Sequence, residues 1–135
     1  MNSGRKPRPP LPEGPFLVVG LARSGSAIAQ ALAERGETVI GVDSDAPPEA
    51  EGLEQAGVEV SLGVDGTRLL DRARTLVKSP GVPQDAPVVR AARERGMPVT
   101  GELELAWRLL PKAFCAVTGT NGKTTTTELV GHFYR

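Results

Sequence analysis

The sequence predicts an α/β protein, with a Rossmann-like, doubly wound parallel sheet of about five strands followed by the first strand, loop and helix of a second α/β domain. Two observations lead to this fold class. Short apolar runs alternate with helical patterns along the chain, as they do when crossover helices join parallel strands. Two glycine-bearing loops, "GLARSG" and "GTNGKTT", each follow an apolar run and precede a helical pattern, which is typical of loops that bind phosphate.

The composition is that of an ordinary globular protein, since 39% of the 135 residues are hydrophobic and 24% are charged. Sixteen basic residues balance sixteen acidic ones, so no net charge favours nucleic acid or an anionic membrane. The sequence has neither a secretory signal nor a stretch of transmembrane length. We therefore expect a cytoplasmic protein with no nucleic-acid or membrane partner.

The first elements follow a proline-rich leader, residues 1–15, which we expect to be flexible because proline lacks a backbone donor. "FLVVG" is a buried first strand. The helix after it begins at Ser24 as N-cap and ends at Gly36. Its predicted apolar face consists of Ala27, Ile28, Ala31 and Leu32.

The middle of the chain continues the alternation. "TVIGVD" is the second strand, and Pro47 and Pro48 open a helical region that Gly57 closes before the strand "VEVS". "LLDRA" forms a brief helix. The fourth strand, "TLVKSPG", ends near Pro80, which offers no donor to a sheet.

The last part of the first domain is the helix "APVVRAARERG", the strand "MPVTG" and the helix "ELELAWRLLP". Helical spacing predicts one apolar stripe on the last helix, made of Leu103, Ala106, Trp107 and Leu110. Trp107 is therefore interpreted as a core or domain-seam residue. We expect the domain to span 16–110, with a boundary at Pro111 and Lys112 and a second, incomplete domain over 113–135 that opens with the strand "AFCAVTG".

The first loop departs from the dinucleotide fingerprint, because Ala22 stands where the second glycine is expected and its methyl group would crowd a pyrophosphate. Gly20 still permits a tight turn, and Gly25 a close approach of helix and strand. Asp43 ends the second strand, where a carboxylate can accept hydrogen bonds from ribose hydroxyls or from a base N–H. "KSPG", at the end of the fourth strand, lies at the same edge of the sheet. Plain turns without a ligand remain open for all three segments.

The second loop is more specific. In "GTNGKTT", we expect backbone N–H groups and a helix N-terminus to converge on phosphate, with Lys123 positioned for the outer phosphate oxygens and Thr124 able to ligate magnesium. The loop is shorter than the general Walker form, since its first glycine, Gly119, lies three residues before Gly122. That spacing points to a particular family.

"VTGTNGKTTT" resembles the ATP loop of the Mur ligases, which add amino acids to the UDP-linked muramoyl precursor of peptidoglycan; folylpolyglutamate synthases have a similar loop. Together with "VVGLARSG", "VIGVDSD", "VKSPGVP" and "VTGELELAW", it resembles the D-glutamate-adding branch of the family. The L-alanine-adding branch is the alternative, although it usually has histidine where Asn121 stands. The resemblance runs from about Phe16 to Arg135.

The resemblance implies ATP and Mg²⁺ as cofactors, and UDP-N-acetylmuramoyl-L-alanine and D-glutamate as substrates. Arg23 and Ser24 match positions at the UDP diphosphate, Asp43 and Ser44 match the uracil end, and the sugar loop comprises Ser79, Pro80 and Gly81. Asp45 stands where some relatives have a basic residue. The implied ATP loop is Gly119, Thr120, Asn121, Gly122, Lys123, Thr124 and Thr125, with Lys123 catalytic and Thr124 the metal ligand.

The family's reaction transfers the ATP γ-phosphoryl group to the substrate carboxylate, and the amine of D-glutamate then attacks the acyl phosphate. The remaining metal ligands and the D-glutamate site would follow Arg135, so we expect an N-terminal fragment that is inactive alone. Two other interpretations remain. An NAD-binding module would account for "GLARSG" and Asp43 but not for the second loop, and a stand-alone nucleotide-binding protein would use only the second loop.

Overall fold

The centre of the molecule is a five-stranded parallel sheet. The computed structural model describes residues 7–110 and 116–133. The strands are β1 (Phe16–Val19), β2 (Val39–Asp43), β3 (Glu59–Leu62), β4 (Thr75–Lys78) and β5 (Val99–Gly101). Their order in the sheet is β3-β2-β1-β4-β5, which is the order of a Rossmann-type sheet. The predicted fold class of the first domain is therefore confirmed.

The central strand, β1, pairs on both sides. Phe16 lies opposite Val39 of β2 and opposite Thr75 of β4. Alternate residues of β1 enter two different apolar clusters, Phe16 and Val18 in one and Leu17 and Val19 in the other. The sheet is thus buried on both faces, which is why its strands are continuous apolar runs.

The first three helices pack on the two faces of the sheet, whereas the fourth buries no residue. The helices are α1 (Arg23–Glu34), α2 (Pro87–Glu94), α3 (Glu102–Leu109) and α4 (Lys123–Phe133), with short 3-10 helices at Pro48–Ala50 and Thr67–Arg72. The helical region predicted after Pro47 is therefore only one 3-10 turn followed by hydrogen-bonded turns. No helix in the described part of the chain is long and apolar enough to cross a membrane.

The buried face of α1 is rotated from the predicted one. Gly25, Ile28, Ala29 and Leu32 are buried, whereas Ala27 is exposed. The rotation is explained by a contact in the first turn of the helix, where the Ser26 hydroxyl donates a 2.5 Å hydrogen bond to the Leu21 carbonyl. This bond turns the side of the helix that carries Ser26 toward the end of β1. The prediction of Ser24 as N-cap was wrong, because Ala22 holds the cap position and its side chain makes no capping hydrogen bond.

The buried face of α3 also differs from prediction. Leu103 is 74% exposed and Leu110 is 48% exposed, whereas Glu102, Leu105 and Leu109 are buried. A hydrogen bond between Glu102 and Ser79, the residue directly after β4, accompanies this difference and is described below. Trp107 is half-buried, and the Arg8 guanidinium lies 5.6 Å from its ring centroid.

The proline-rich leader was expected to be flexible, but its described part, residues 7–15, contacts the domain. The Thr75 hydroxyl donates a 2.8 Å hydrogen bond to the Glu13 carbonyl, and Arg108 donates one of 3.1 Å to the Pro10 carbonyl. Leu11 packs against the core. Proline lacks an N–H, but the carbonyls of a proline-rich segment still accept hydrogen bonds, and these hold the leader in place.

The segment after the first domain departs from the predicted sixth strand. Residues 116–118 form no strand, and residues 113–115 lie outside the described part of the chain, as does the predicted boundary at Pro111 and Lys112. A strand requires a hydrogen-bonded neighbour, and residues 116–118 have none in the sheet described here. Helix α4 buries no residue.

Candidate functional site

A cleft of about 750 Å³ opens at the carboxyl ends of β1, β2 and β4. It lies where the strand order reverses, between β1 and β4, which is where open α/β sheets bind their ligands. Three segments supply most of its polar lining: the β1–α1 loop, the end of β2 and the turn after β4. The polar residues in the lining are Ser24, Asp43, Ser44, Asp45, Asp65, Ser79 and Asp85.

Two glycines shape the β1–α1 loop. Gly20 has a φ of +90°, and a Cβ added there would lie 2.9 Å from the Ser79 Cβ. A Cβ added at Gly25 would lie 1.7 Å from the Gly20 carbonyl oxygen. The tight turn at Gly20 and the close approach of helix and strand at Gly25, both predicted from the sequence, are therefore confirmed.

Asp43 joins this loop to the end of β2. Its Oδ2 accepts a 2.7 Å hydrogen bond from the Leu21 N–H, and its Oδ1 accepts one of 2.9 Å from the Asp45 N–H. The carboxylate thus fixes the loop and its own turn. Each carboxylate oxygen has further acceptor capacity, and Asp43 lines the cleft, so it remains able to accept a hydrogen bond from a ligand.

The turn after β4 is held by two buried side chains, Lys78 and Glu102, which are not among the predicted site residues. The Lys78 ammonium donates to the carbonyls of Ser79, at 3.1 Å, and Val82, at 2.5 Å. The Ser79 hydroxyl lies 2.9 Å from the Gly20 carbonyl oxygen and also hydrogen-bonds the Glu102 carboxylate. The available signal was a lysine ending an apolar strand and a glutamate following directly after another.

The cleft brings together six of the seven residues predicted for the UDP substrate. These are Ser24, Asp43, Ser44, Ser79, Pro80 and Gly81. The seventh, Arg23, lines a separate shallow cavity with Ser26 and Gln30. The residues lining the main cleft include four aspartates and no lysine or arginine. Any anion bound there would meet the backbone N–H groups at the start of α1 rather than a basic side chain of the lining.

The second loop has two glycines with positive φ and leads into a helix, as its sequence predicts, but no strand precedes it within residues 116–118. Gly119 has a φ of +151° and Gly122 one of +73°, and α4 begins immediately afterwards at Lys123. The side chain of Thr127 donates a 2.7 Å hydrogen bond to the Lys123 carbonyl within the first turns of this helix. The seven residues predicted to bind ATP, 119–125, are all exposed, so a ligand has access to them.

One ion pair outside the cleft shifts the pKa values of its two side chains. Arg72 donates two 2.7 Å hydrogen bonds to the Glu59 carboxylate at the β3 edge of the sheet. These hydrogen bonds lower the pKa of Glu59 and raise that of Arg72. The pair is half-exposed, and we assign it a small structural role.

A five-stranded sheet in Rossmann order, with a polar cleft at its switch point, defines a doubly wound α/β domain, a class in which ligands bind at that point. Residues 15–101 match the model of the Mur ligase MurD-like N-terminal domain. The chain belongs to this family, which confirms the resemblance drawn from its motifs.

Individual relatives agree with the family assignment. The chain is 46% identical over 123 residues to the UDP-N-acetylmuramoylalanine–D-glutamate ligase of Pelotomaculum thermopropionicum, covering 88% of this chain and 27% of that protein. It is 48% identical over 122 residues to the enzyme of the same name from Frankia casuarinae, covering 87% and 26%. The chain thus spans about a quarter of the length of these curated relatives.

Solved structures show the same fold. A UDP-N-acetylmuramate-alanine ligase from Thermotoga maritima matches with a TM-score of 0.66 and 27% identity, over 89% of this chain and 29% of that one. A pseudomurein peptide ligase type C from Methanothermus fervidus matches with a TM-score of 0.60 and 23% identity, over 86% and 24%. The second likeness concerns the fold alone.

Proposed function

We propose that the cleft binds UDP-N-acetylmuramoyl-L-alanine, and that the whole protein is an ATP-dependent ligase that joins D-glutamate to it. One observation carries the proposal: six residues that match the family's UDP-substrate positions meet in one cleft at the switch point of the sheet. The names of the relatives supply the substrate class and the amino acid.

Within the cleft, different residues would bind each part of the ligand. The uracil and ribose would bind at Asp43 and Ser44, the diphosphate at the start of α1 beside Ser24, and the sugar along Ser79, Pro80 and Gly81. The alanine at position 22 favours this ligand over NAD, because its methyl group stands where a dinucleotide pyrophosphate approaches the backbone most closely. The Arg23 contact with the diphosphate remains a prediction, since its side chain lines another cavity.

The second loop would bind ATP. Two of its glycines have positive φ and α4 begins at Lys123, so that backbone donors, the helix dipole and an ammonium group are available to a triphosphate. We propose that Lys123 stabilises the charge on the phosphoryl group during its transfer to the substrate carboxylate. The hydroxyl of Thr124 would be a ligand of Mg²⁺, which when bound supplies further charge neutralisation. The amine of D-glutamate then displaces phosphate and forms the amide. Because the reaction consumes ATP and a sugar nucleotide, we place it in the cytoplasm.

Calorimetric titration of the purified chain tests the proposal. We expect saturable binding of UDP-N-acetylmuramoyl-L-alanine and no saturation with NAD. Tighter binding of UDP-N-acetylmuramate, which lacks the alanine, would instead indicate the L-alanine-adding branch. Saturation with NAD, and none with either sugar nucleotide, would refute the assignment.

A second titration uses Mg²⁺ and ATP and separates the two loops. We expect ATP to bind without competing with the sugar nucleotide, because the two ligands use different loops. A tight ATP complex in a chain that ignores both sugar nucleotides would support a stand-alone nucleotide-binding protein.

A further inference from the structure

We propose that Glu102 is a positioning residue for the cleft, acting through the Ser79 hydroxyl to hold the β1–α1 loop and the turn after β4 at a fixed separation. The inference rests on the proposed function of the cleft as a sugar-nucleotide site. Glu102 is not among the residues that line the cleft, so its effect on a ligand must pass through the residues that do.

The geometry joins three parts of the chain at one buried point. The Ser79 hydroxyl donates a hydrogen bond to Glu102, which lies in the first turn of α3. The same hydroxyl lies 2.9 Å from the Gly20 carbonyl oxygen, just after β1. Glu102 and Ser79 are each 6% exposed. A hydroxyl carries one proton, so the Gly20 carbonyl and the Glu102 carboxylate share the single proton of Ser79. The three groups therefore form one hydrogen-bonded junction.

The glycines of the β1–α1 loop make room for this junction. A Cβ at Gly20 would lie 3.1 Å from the Ser79 Oγ, and a Cβ at Gly25 would lie 2.8 Å from the same atom. In a dinucleotide fingerprint the missing side chains leave space for the pyrophosphate and for helix packing. Here the Ser79 side chain occupies part of that space, and its hydroxyl points to the Gly20 carbonyl and Glu102.

Burial of Glu102 has no apolar explanation. Leu103, the next residue, is 74% exposed, so α3 places a carboxylate inside and a leucine outside. A buried carboxylate requires a hydrogen-bond partner, and the one formed here holds a residue of the cleft wall. Lys78 acts on the same turn from its other side by donating to the Val82 carbonyl, which leaves Ser79, Pro80 and Gly81 little freedom to move.

The test compares three substitutions of Glu102 in the full chain by calorimetry with UDP-N-acetylmuramoyl-L-alanine and by NMR titration with uridine. Glu102→Gln keeps an acceptor oxygen at the same reach, so affinity for the sugar nucleotide should stay within about twofold. Glu102→Ala removes the acceptor and Glu102→Asp withdraws it by one methylene. Each should weaken the sugar nucleotide by about tenfold, because a turn that is no longer held in place must be ordered when the ligand binds, and should weaken uridine much less.

The matched control is Glu104→Gln, since Glu104 lies on the same helix but is exposed and pairs with Arg108; it should leave both affinities unchanged. A merely structural role of Glu102 would lower the melting temperature and leave affinity unchanged below it, or would weaken both ligands equally. Either result overturns the inference, as does a Glu102→Gln variant as weak as Glu102→Ala. If Glu102→Ala does not fold, Glu102→Asp, which retains the charge, decides the question alone. A wild-type chain that does not bind the sugar nucleotide overturns the proposed function itself, whereas tight wild-type binding with unaffected variants overturns only this inference.

Discussion

Replacing Gly25 with alanine perturbs a close backbone contact between α1 and the end of β1. Gly25 lies in the first turns of α1, with a backbone conformation that alanine also adopts. In an exposed helix the substitution would stabilise the protein by up to about 1 kcal/mol, because alanine is the better helix former. Here the new Cβ would stand 1.7 Å from the Gly20 carbonyl oxygen and 2.8 Å from the Ser79 Oγ.

The size of the effect follows from that overlap. Ordinary contacts of a Cβ begin near 3.4 Å, so either the helix or the Gly20 carbonyl must move by well over an ångström. Overpacking of this kind costs about 1–3 kcal/mol, and more where backbone must shift. Since both sides of the contact are backbone, we expect the upper end of that range. After the gain in helix propensity is subtracted, we expect a net loss of at least about 2 kcal/mol, or roughly 8–16 °C in Tm.

The assay is urea unfolding followed by circular dichroism, with thermal melts in parallel. Gly101→Ala is the matched control, because no heavy atom lies within 4 Å of a Cβ added at Gly101 and the φ of this residue is negative. The free energy of unfolding of this variant should differ from that of the wild type by less than about 1 kcal/mol. If Gly25→Ala unfolds at the same urea concentration as the wild type, the close approach of helix and strand described here is wrong.

Three further outcomes are expected. Thr75→Val should lower the free energy of unfolding by about 1 kcal/mol, since it removes the part-buried hydrogen bond to the Glu13 carbonyl; an unchanged urea midpoint would mean that this hydrogen bond does not stabilise the fold. Arg72→Gln should lower Tm slightly at neutral pH. This difference should vanish on acidification, because the pKa of Glu59 is depressed below 4.5 by Arg72 and the stabilisation is lost as pH falls through that pKa; a difference that persists at pH 2 would contradict the pairing. Lys123→Ala should weaken binding of ATP with Mg²⁺ at least about tenfold and leave the sugar-nucleotide titration unchanged, and a parallel loss of both would argue against separate sites.

The strands of the sheet could be located from the sequence, because strands that are buried on both faces consist of continuous apolar runs. All five strands of the first domain were located, with β3 displaced by one residue from the predicted segment. Positions of glycine were equally informative. Gly20 and Gly25 were assigned their roles from the loop pattern alone, since only a residue without a side chain fits a positive φ or a backbone contact.

The helix faces were harder to predict, because polar contacts between distant segments decided them. The apolar spacing of α3 predicted Leu103 inside, yet the hydrogen bond between Ser79 and Glu102 turns the carboxylate inward instead. Those two residues are far apart in the sequence, and nothing in the local pattern links them. The same limit applies to the leader, whose contacts depend on Thr75 and Arg108.

The candidate site was predicted in outline. Its residues were inferred from a loop after each of three strands, and parallel strands bring their carboxyl ends to one edge of the sheet. The placement of Arg23 in another cavity depends on the rotation of α1, which the sequence did not specify. Lys78 was named only as part of the "KSPG" turn and Glu102 was not identified, since single charged residues beside apolar runs are most often solvated.

The pairing of β1 with β4 determines how much of the chain must be synthesised before the sheet can form. Phe16 of β1 requires Thr75 of β4 as its neighbour, so a nascent chain that has emerged only as far as β3 leaves one side of its central strand without a partner. Contacts so distant along the chain form slowly. Ligand cannot serve as an early template, because both walls of its cleft exist only after β4 has left the exit tunnel. During synthesis, an apolar strand with an open edge must therefore be kept from pairing with other chains.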